Sequence, residues 1–117
     1  MFALNLKTFS IAMVMLLLPF QKQNTNILLI FADDAGNETL VQQFNLLKGD
    51  ANGLKSRDII VKTVIWNAAT AAEYQKWHVS NVPFTVLLIG KDNGEKLRSH
   101  QQVSLTKIYQ LTNLYAR

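Results

Sequence analysis

The sequence predicts an α/β fold, a three-layer domain in which a mixed sheet of about four strands lies between helices on both faces. Two short apolar runs, Ile27–Ala32 and Ile59–Trp66, flank a segment of helical periodicity, which is the pattern of parallel strands joined by a helix. A third run, Thr85–Gly90, is followed by an Asn-Gly pair and then by the alternating residues Glu95–Arg98. Because Asn-Gly favours tight turns, this stretch predicts an antiparallel hairpin.

The N-terminal residues have the pattern of an export signal. Met1–Lys7 carries positive charge and no acidic residue, and Ile11–Leu18 is continuously apolar before Pro19 interrupts it. This run is shorter than the ~20 apolar residues of a membrane-spanning helix. We therefore expect residues 1–22 to be a signal peptide and residues 23–117 to be a single domain outside the cytoplasm, periplasmic or secreted. No small-x-small cleavage pair follows the run, so an uncleaved membrane anchor and a core strand are the alternatives.

Composition excludes several classes of function. A chain of 117 residues fits one domain with a modest core. Without Lys7 and Lys22, the net charge of +4 reduces to ten basic residues against eight acidic ones, and no basic stripe for nucleic acid is left. The absence of cysteine excludes disulfides and a lipid anchor on cysteine. We expect no nucleic-acid partner, and membrane contact only through an uncleaved N-terminal segment.

The first strand and helix follow from burial pattern and capping residues. Ile27–Ala32 suits a strand buried on both faces, and Asp33–Asn37 is a polar turn in which Asn37 can cap a helix. Glu38 would complement the helix dipole. The predicted buried stripe of this helix consists of Leu40, Val41, Phe44 and Leu47. The cluster Gly49–Gly53 predicts a loop that ends the helix.

The second half continues the alternation of strands and helices. Ile59–Trp66 is the most β-prone stretch and should lie parallel to the first strand. Ala68–His78 predicts a helix, which Asn81-Val82-Pro83 ends before the hairpin. Asn93-Gly94 predicts a primed turn with positive φ at both residues. Ser104–Tyr115 predicts an amphipathic helix capped by Ser104.

The order of these elements is that of thioredoxin-like domains, and Pro83 stands where thioredoxins place a cis proline. The hairpin resembles the L-I-G-K-D-G-G-x-K-L-R core of a thioredoxin-like domain of unknown function (domain of unknown function 4174) found in exported bacterial proteins. The matching residues are Leu88–Lys91, Asp92, Gly94, Lys96, Leu97 and Arg98. That family is similar to domains of sushi-repeat and equarin-type extracellular proteins. The resemblance covers residues 27–115 and implies the same fold and export, while the tail, residues 111–117, departs from the family pattern.

Thiol and metal chemistry are not expected. A thioredoxin-type enzyme needs a reactive thiolate in the loop after the first strand. That loop is Asp33–Asn37 and the chain has no cysteine, so disulfide exchange and thiol peroxidase activity are excluded. His78 and His100 lack the spacing of metal ligands, so we expect no metal and no cofactor. Trp66 and Trp77 are interpreted as core residues.

Asp33 and Asp34 are the first candidates for a binding site. They follow the first strand, where open α/β sheets bind ligands, and could hold a cation or act as an acid/base pair. The simpler interpretation is that they cap a helix and solvate a turn.

The hairpin is the second candidate, because its basic residues could bind an anionic ligand. The residues concerned are Lys91, Asp92, Gly94, Lys96 and Arg98. The simpler interpretation is a solvated hairpin whose opposite charges pair across the two strands.

Two functions are compatible with this pattern. One is a redox-inactive binding or interaction module, with no catalytic residue, whose partner is an envelope or extracellular protein or an anionic ligand. The alternative is a non-thiol enzyme that uses Asp33, Asp34 or the basic hairpin. Because an enzyme needs polar groups that converge in a pocket, Asp33, Asp34, Arg57 and Arg98 lying far apart on open surface would count against it.

Overall fold

The computed structural model describes residues 24–114. Along the chain run β1 (Asn26–Ala32), α1 (Glu38–Lys48), α2 (Ala51–Ser56), β2 (Ile59–Ile65), α3 (Ala71–Lys76), β3 (Phe84–Ile89), β4 (Glu95–Ser99) and α4 (Leu105–Leu114). The expected signal, residues 1–22, lies outside the described residues, as does Tyr115 at the end of the last predicted helix. Between residues 24 and 114, no helix is long and apolar enough to cross a membrane.

The strands form one mixed sheet in the order β2-β1-β3-β4. β1 and β2 are parallel, with Asn26 beside Ile59 at their start. β3 is antiparallel to β1, and β4 is antiparallel to β3. The predicted α/β fold with a mixed sheet of four strands is therefore confirmed, and so is the parallel pairing of the first two strands.

A hydrophobic core lies on each face of the sheet. On one face, α1, α2 and α4 pack on the sheet through Leu40, Leu54 and Ile108. On the other face, α3 contributes Tyr74 to a smaller core that includes Phe31. β1 runs between the two cores and is buried at every residue except Ile27, which is half-buried, as its continuous apolar sequence predicts.

Helix α1 begins as predicted but buries a different set of side chains. Asn37 caps it, since its Oδ1 accepts a hydrogen bond from the Leu40 amide at 3.0 Å. Leu40 and Leu47 are buried, whereas Val41 and Phe44 are exposed, so the predicted stripe is wrong at those two positions. The buried position between Leu40 and Leu47 is occupied by Gln43, a polar residue that the spacing of apolar residues cannot identify.

Two helix predictions need correction in the region between β1 and β3. Gly49–Gly53 is not only a loop, because Asp50 accepts a hydrogen bond from the Gly53 amide and so caps the short helix α2. The helix predicted over Ala68–His78 is shorter than expected. Asn67 Oδ1 accepts hydrogen bonds from the amides of Ala69 and Thr70, and these bonds hold a turn before α3 begins. The peptide bond before Pro83 is trans.

The predicted hairpin is confirmed, but its turn is of a different type. Asn93 has a positive φ of 67°, whereas Gly94 does not have a positive φ. The Asn93 amide donates to the Gly90 carbonyl at 3.0 Å, and the Gly90 amide donates to the Gly94 carbonyl at 2.9 Å. The loop thus has three residues and ends in the left-handed Asn93, the alternative to a two-residue primed turn. Asp92 favours this geometry because its side chain accepts a hydrogen bond from the Gly94 amide.

Candidate functional site

The basic side chains at the hairpin turn have acidic partners within the chain. Lys91 Nζ lies 2.8 Å from Asp58 at the start of β2, and Lys96 Nζ lies 2.6 Å from Asp92. The hydrogen bond from Lys96 lowers the pKa of Asp92 from its usual value. The first pair links the turn to the residue before β2, and the second links the turn to the start of β4. The expected pairing of charges between the two hairpin strands is therefore wrong.

Arg98 joins the hairpin to the end of α3. Its guanidinium donates to the carbonyls of His78 and Trp77, at 3.0 and 2.7 Å, and to Glu95 at 2.9 Å. Carbonyl groups at a helix C-terminus carry partial negative charge, which a cation stabilises. Arg98 also lowers the pKa of Glu95 through its hydrogen bond. The position of Arg98 in the hairpin motif is thus explained by a contact that holds the fold.

The Lys96 side chain passes so close to Gly90 that no larger residue fits at position 90. A Cβ at Gly90 would lie 2.6 Å from Lys96 Cε and 3.0 Å from Asp92 Oδ1, so a larger residue would displace Lys96 from Asp92. The motif residues Gly90, Asp92 and Lys96 therefore contact one another, and these contacts stabilise the hairpin.

Asp33 and Asp34 lie at the opposite end of the strands from the hairpin turn. Ala32, just before them, pairs with Phe84 at the start of β3, whereas the turn follows the end of β3. Asp34 accepts a hydrogen bond from the Gly36 amide at 2.8 Å, and Asp33 accepts one from the Asn37 side chain at 2.9 Å. Both carboxylates are exposed and shape the turn before α1, which is the simpler of the two interpretations.

The polar groups named for an enzyme do not converge. Arg57 precedes β2 and lies beside the start of β1, where its carbonyl accepts a bond from the Asn26 side chain. Arg98 pairs through its backbone with Leu87 in the middle of the sheet, away from Asp33 and Asp34. Within residues 24–114, no three His, Asp or Glu side chains lie together as metal ligands would. This arrangement counts against a non-thiol enzyme that uses these groups together.

One polar cluster that the sequence did not reveal connects α2 with α4. The Tyr109 hydroxyl donates to Asp50 at 2.8 Å, and the Arg57 guanidinium lies 3.8 Å above the Tyr109 ring. Burial and the hydrogen bond to Asp50 raise the pKa of Tyr109 to about 12. Because Asp50 also caps α2, the cluster fixes the position of this short helix.

The exposed large hydrophobic side chains of the described residues gather around β2. They are Val41, Phe44, Ile60 and Trp66, which are 45, 49, 45 and 38% exposed. We call these four residues the edge surface. Val41 and Phe44 lie on the α1 face of the sheet, and Ile60 and Trp66 lie on the opposite face, where Trp66 packs against Tyr74. The interpretation of Trp66 as a core residue is correct only for the part that packs edge-on against Tyr74, at 4.8 Å between ring centroids.

A groove lies on each face of the sheet beside β2. The first has a volume of about 300 Å³ and lies between α1 and β2, where Val41 and Phe44 face Thr63 and Ile65. The second has a volume of about 430 Å³ and includes Lys62 and residues of α3. Both grooves therefore border the same strand, one on each side of the sheet.

The backbone of β2 has one unpaired side among the described strands, because β2 ends the sheet next to β1. The Trp66 amide donates to Ala32 at 2.9 Å, and the Asp58 carbonyl accepts from Asn26 at 2.7 Å. Even-numbered residues of this strand thus point their backbone groups towards β1. Since backbone direction alternates along a strand, the amide and carbonyl groups of Val61 and Thr63 point outwards.

The sequence contained a signal for this edge that its interpretation did not use. Charged residues, and lysine above all, are typical of edge strands. Ile59–Ile65 contains one charged residue, Lys62, in an otherwise uncharged strand. The position of β2 at the edge, however, depends on pairing between strands that are far apart in sequence.

Comparisons with known proteins give a family and a fold. The family model described as Domain of unknown function (DUF4174) matches residues 17–112. No curated protein matches the sequence. Similar solved structures include one titled as the structure of a malarial protein, at 19% identity, with a TM-score of 0.61 over 80% of this chain and 100% of that one. They also include thioredoxin-2, titled as a component of malaria parasite protein secretion machinery, at 19% identity, with a TM-score of 0.60 over 77% of this chain and 82% of that one. At this identity the likeness shows a thioredoxin-like fold.

Proposed function

We propose that this chain, which belongs to the DUF4174 family, is an exported, redox-inactive thioredoxin-like domain that acts as a binding module. A relation to sushi-repeat and equarin-type extracellular domains is part of this proposal, and the motif in Leu88–Arg98 supports it. The absence of cysteine supports redox inactivity, since the thiolate chemistry of the fold needs that residue.

The pattern of residues 1–22 supports export. A basic start, a short apolar run and a polar segment after Pro19 are the parts of a secretory signal. Intact mass and cell fractionation of the native protein test this. A mature chain that starts between Gln21 and Asn26 in a soluble fraction outside the cytoplasm is expected. A full-length chain in the membrane would indicate an anchor, and a full-length chain in the cytosol would contradict export.

The observation that carries the binding role is the edge surface. Its four apolar side chains lie beside a strand whose outer backbone side pairs with no strand of residues 24–114, whereas Lys91, Lys96 and Arg98 all have acidic partners within the chain. Backbone pairing supplies affinity when a strand is added to a sheet, and flanking side chains supply specificity. We therefore place binding at β2, with a protein partner, and not at the hairpin.

Site-specific photo-crosslinking in living cells tests where binding occurs. A photoreactive phenylalanine analogue replaces Phe44 in one variant and Asn93, at the hairpin turn, in a second. A third variant carries it at Thr106, an exposed position in α4 that serves as the control. A discrete adduct from position 44 alone is expected. An adduct from position 93 alone would move the site to the hairpin, and equal yields at all three positions would contradict a defined surface.

A further inference from the structure

We propose that the side of β2 that no described strand covers pairs with β2 of a second copy of this chain, antiparallel, about a two-fold axis at Thr63. This inference rests on the proposed function, because it names the partner of the edge surface. A two-fold interface requires that one patch be complementary to itself. The backbone, the side chains and the charge of β2 each meet that requirement.

The backbone groups are in the right phase for this pairing. The outward amide and carbonyl of Thr63 would bond with those of Thr63 in the second copy, and Val61 would bond with Ile65. All of these residues are odd-numbered, and the backbone amide and carbonyl groups of odd-numbered residues point away from β1. Pairing that placed even-numbered residues in the bonded positions would compete with the bonds between β1 and β2.

The side chains are complementary when the strand is turned about Thr63. On one face, Ile60 lies opposite Trp66 of the second copy and Lys62 lies opposite Val64. On the other face, Val61 lies opposite Ile65. Ile60 and Trp66 are two of the four exposed large hydrophobic residues, so the pairing covers apolar surface that the single domain leaves in water.

Charge disfavours the neighbouring register centred on Lys62. Pairing centred on Lys62 would place two ammonium groups directly opposite each other, which destabilises a strand pair. Centring on Thr63 moves the two lysines to diagonal positions, about 7–8 Å apart. Centring on Val61 would leave Ile65 and Trp66 opposite residues that precede β2, so part of the apolar surface would stay exposed.

The remaining two residues of the edge surface lie beside the axis. Phe44 and Val41 line the groove that includes Thr63, so both copies of this groove would meet on the same face of the extended sheet. The strand has seven residues, and a standard stable interface uses roughly 20–30 residues a side. We therefore expect a reversible dimer with a dissociation constant on the order of micromolar.

Single-cysteine variants test the register, because the chain itself has no cysteine. Thr63→Cys, Lys62→Cys and Val61→Cys each place one thiol on β2, and Thr106→Cys is the exposed control on α4. The purified protein, with its N-terminus read by intact mass, is oxidised mildly or treated with a short thiol crosslinker. Bonded antiparallel residues have Cα atoms about 5.5 Å apart, within reach of a disulfide, whereas atoms more than about 7 Å apart are not.

We expect Thr63→Cys to form covalent dimers at least ~10-fold faster than the other three variants, because it alone lies opposite its own copy at this distance. A faster reaction of Lys62→Cys or Val61→Cys would overturn the register and with it the proposal. Rates equal to that of Thr106→Cys would overturn the pairing. The thiol of Thr63→Cys should also react with a maleimide when the protein is monomeric. If it does not react in a monomer of full-length mass, the chain's own N-terminal residues cover β2, and the proposal is overturned.

Failure of this dimer is distinguishable from failure of the proposed function. If Thr63→Cys does not crosslink but position 44 still gives an adduct with another protein in cells, the binding role holds and the second copy is the wrong partner. If both experiments are negative, the edge surface is not a binding site. An Ile60→Lys variant, which leaves the backbone unchanged, should lose the dimer while it keeps the melting temperature of the parent chain within a few degrees.

Discussion

The Gln43 side-chain amide and the Val103 backbone form a pair of hydrogen bonds inside the domain. Gln43 Nε2 donates to the Val103 carbonyl at 3.0 Å, and the Val103 amide donates to Gln43 Oε1 at 2.7 Å. Gln43 is fully buried. Because buried polar groups need partners, this pair holds the segment between β4 and α4 against α1. It also explains why a glutamine occupies a core-facing position of α1.

Replacing this glutamine should destabilise the fold. In Gln43→Leu, the amide and carbonyl of Val103 would be buried without partners, and we expect the free energy of unfolding to fall by about 2–4 kcal/mol. Urea unfolding followed by circular dichroism measures this change. Gln42→Leu, at the exposed neighbouring position, is the control and should change stability by no more than about 0.5 kcal/mol. Equal effects of the two substitutions would mean that the buried pair contributes little.

The two turn residues of the hairpin should respond differently to a side chain. Asn93→Val places a β-branched residue at φ 67°, and we expect a loss of about 1–2 kcal/mol. Gly94→Ala should cost less, because Gly94 has no positive φ and its Cβ would meet only flexible side-chain ends, 3.2 Å away. Thermal unfolding of both variants shows which substitution causes the larger loss of stability. A larger loss for Gly94→Ala would support the primed turn that the sequence predicts.

Arg98 should contribute to stability through the geometry of its guanidinium as well as its charge. Arg98→Lys keeps the charge but has all its donors on one nitrogen, which cannot match the planar fork that reaches Glu95 and the carbonyls of Trp77 and His78, so we expect a loss of about 1–2 kcal/mol. Lys91→Ala removes a solvent-exposed ion pair and is the comparison, with an expected loss below about 1 kcal/mol. Urea unfolding of the two variants decides, and a loss from Lys91→Ala that matches Arg98→Lys would refute the assigned role.

Alkaline pH should weaken the cluster around Tyr109. The pKa of Tyr109 is raised from 10.0 to about 12, so its neutral form is favoured in the folded state. Its contribution to stability is therefore complete below pH 10 and is lost as the pH rises from about 10 to about 12. Tyr109→Phe should make unfolding less dependent on pH across this window. Ultraviolet titration of tyrosinate gives the pKa directly, and ionisation of Tyr109 near its ordinary value would contradict the hydrogen bond to Asp50.

The sheet could be predicted from sequence because its signals are local. The apolar run Ile27–Ala32, the β-branched run Ile59–Ile65 and the turn after Gly90 each identify a strand, and Asn37 identifies the start of a helix. The turn type was not predictable from Asn93-Gly94, because the Asp92 side chain selects a longer loop by bonding the Gly94 amide.

The candidate site was harder to predict because it depends on distant contacts. Phe44 fits an amphipathic stripe as well as Leu47 does, but Gln43 finds a partner in Val103 and turns the helix so that Phe44 is exposed. Likewise, the hairpin motif is the most distinctive part of the sequence, and its cations are paired with Asp58, Asp92 and Glu95. Distinctive residues here stabilise the fold, and the surface we assign to binding consists of ordinary apolar ones.

The central claim is that β2 presents an open backbone edge. Amide hydrogen exchange of the dilute protein, measured residue by residue by NMR, tests it most directly. We expect the amides of Val61 and Thr63 to exchange rapidly and those of Lys62 and Val64 to be protected, because the latter bond to β1. Protection of Val61 and Thr63 should then appear as the protein concentration rises. If all four amides are protected in dilute protein, the edge is already covered within the chain and the account is contradicted.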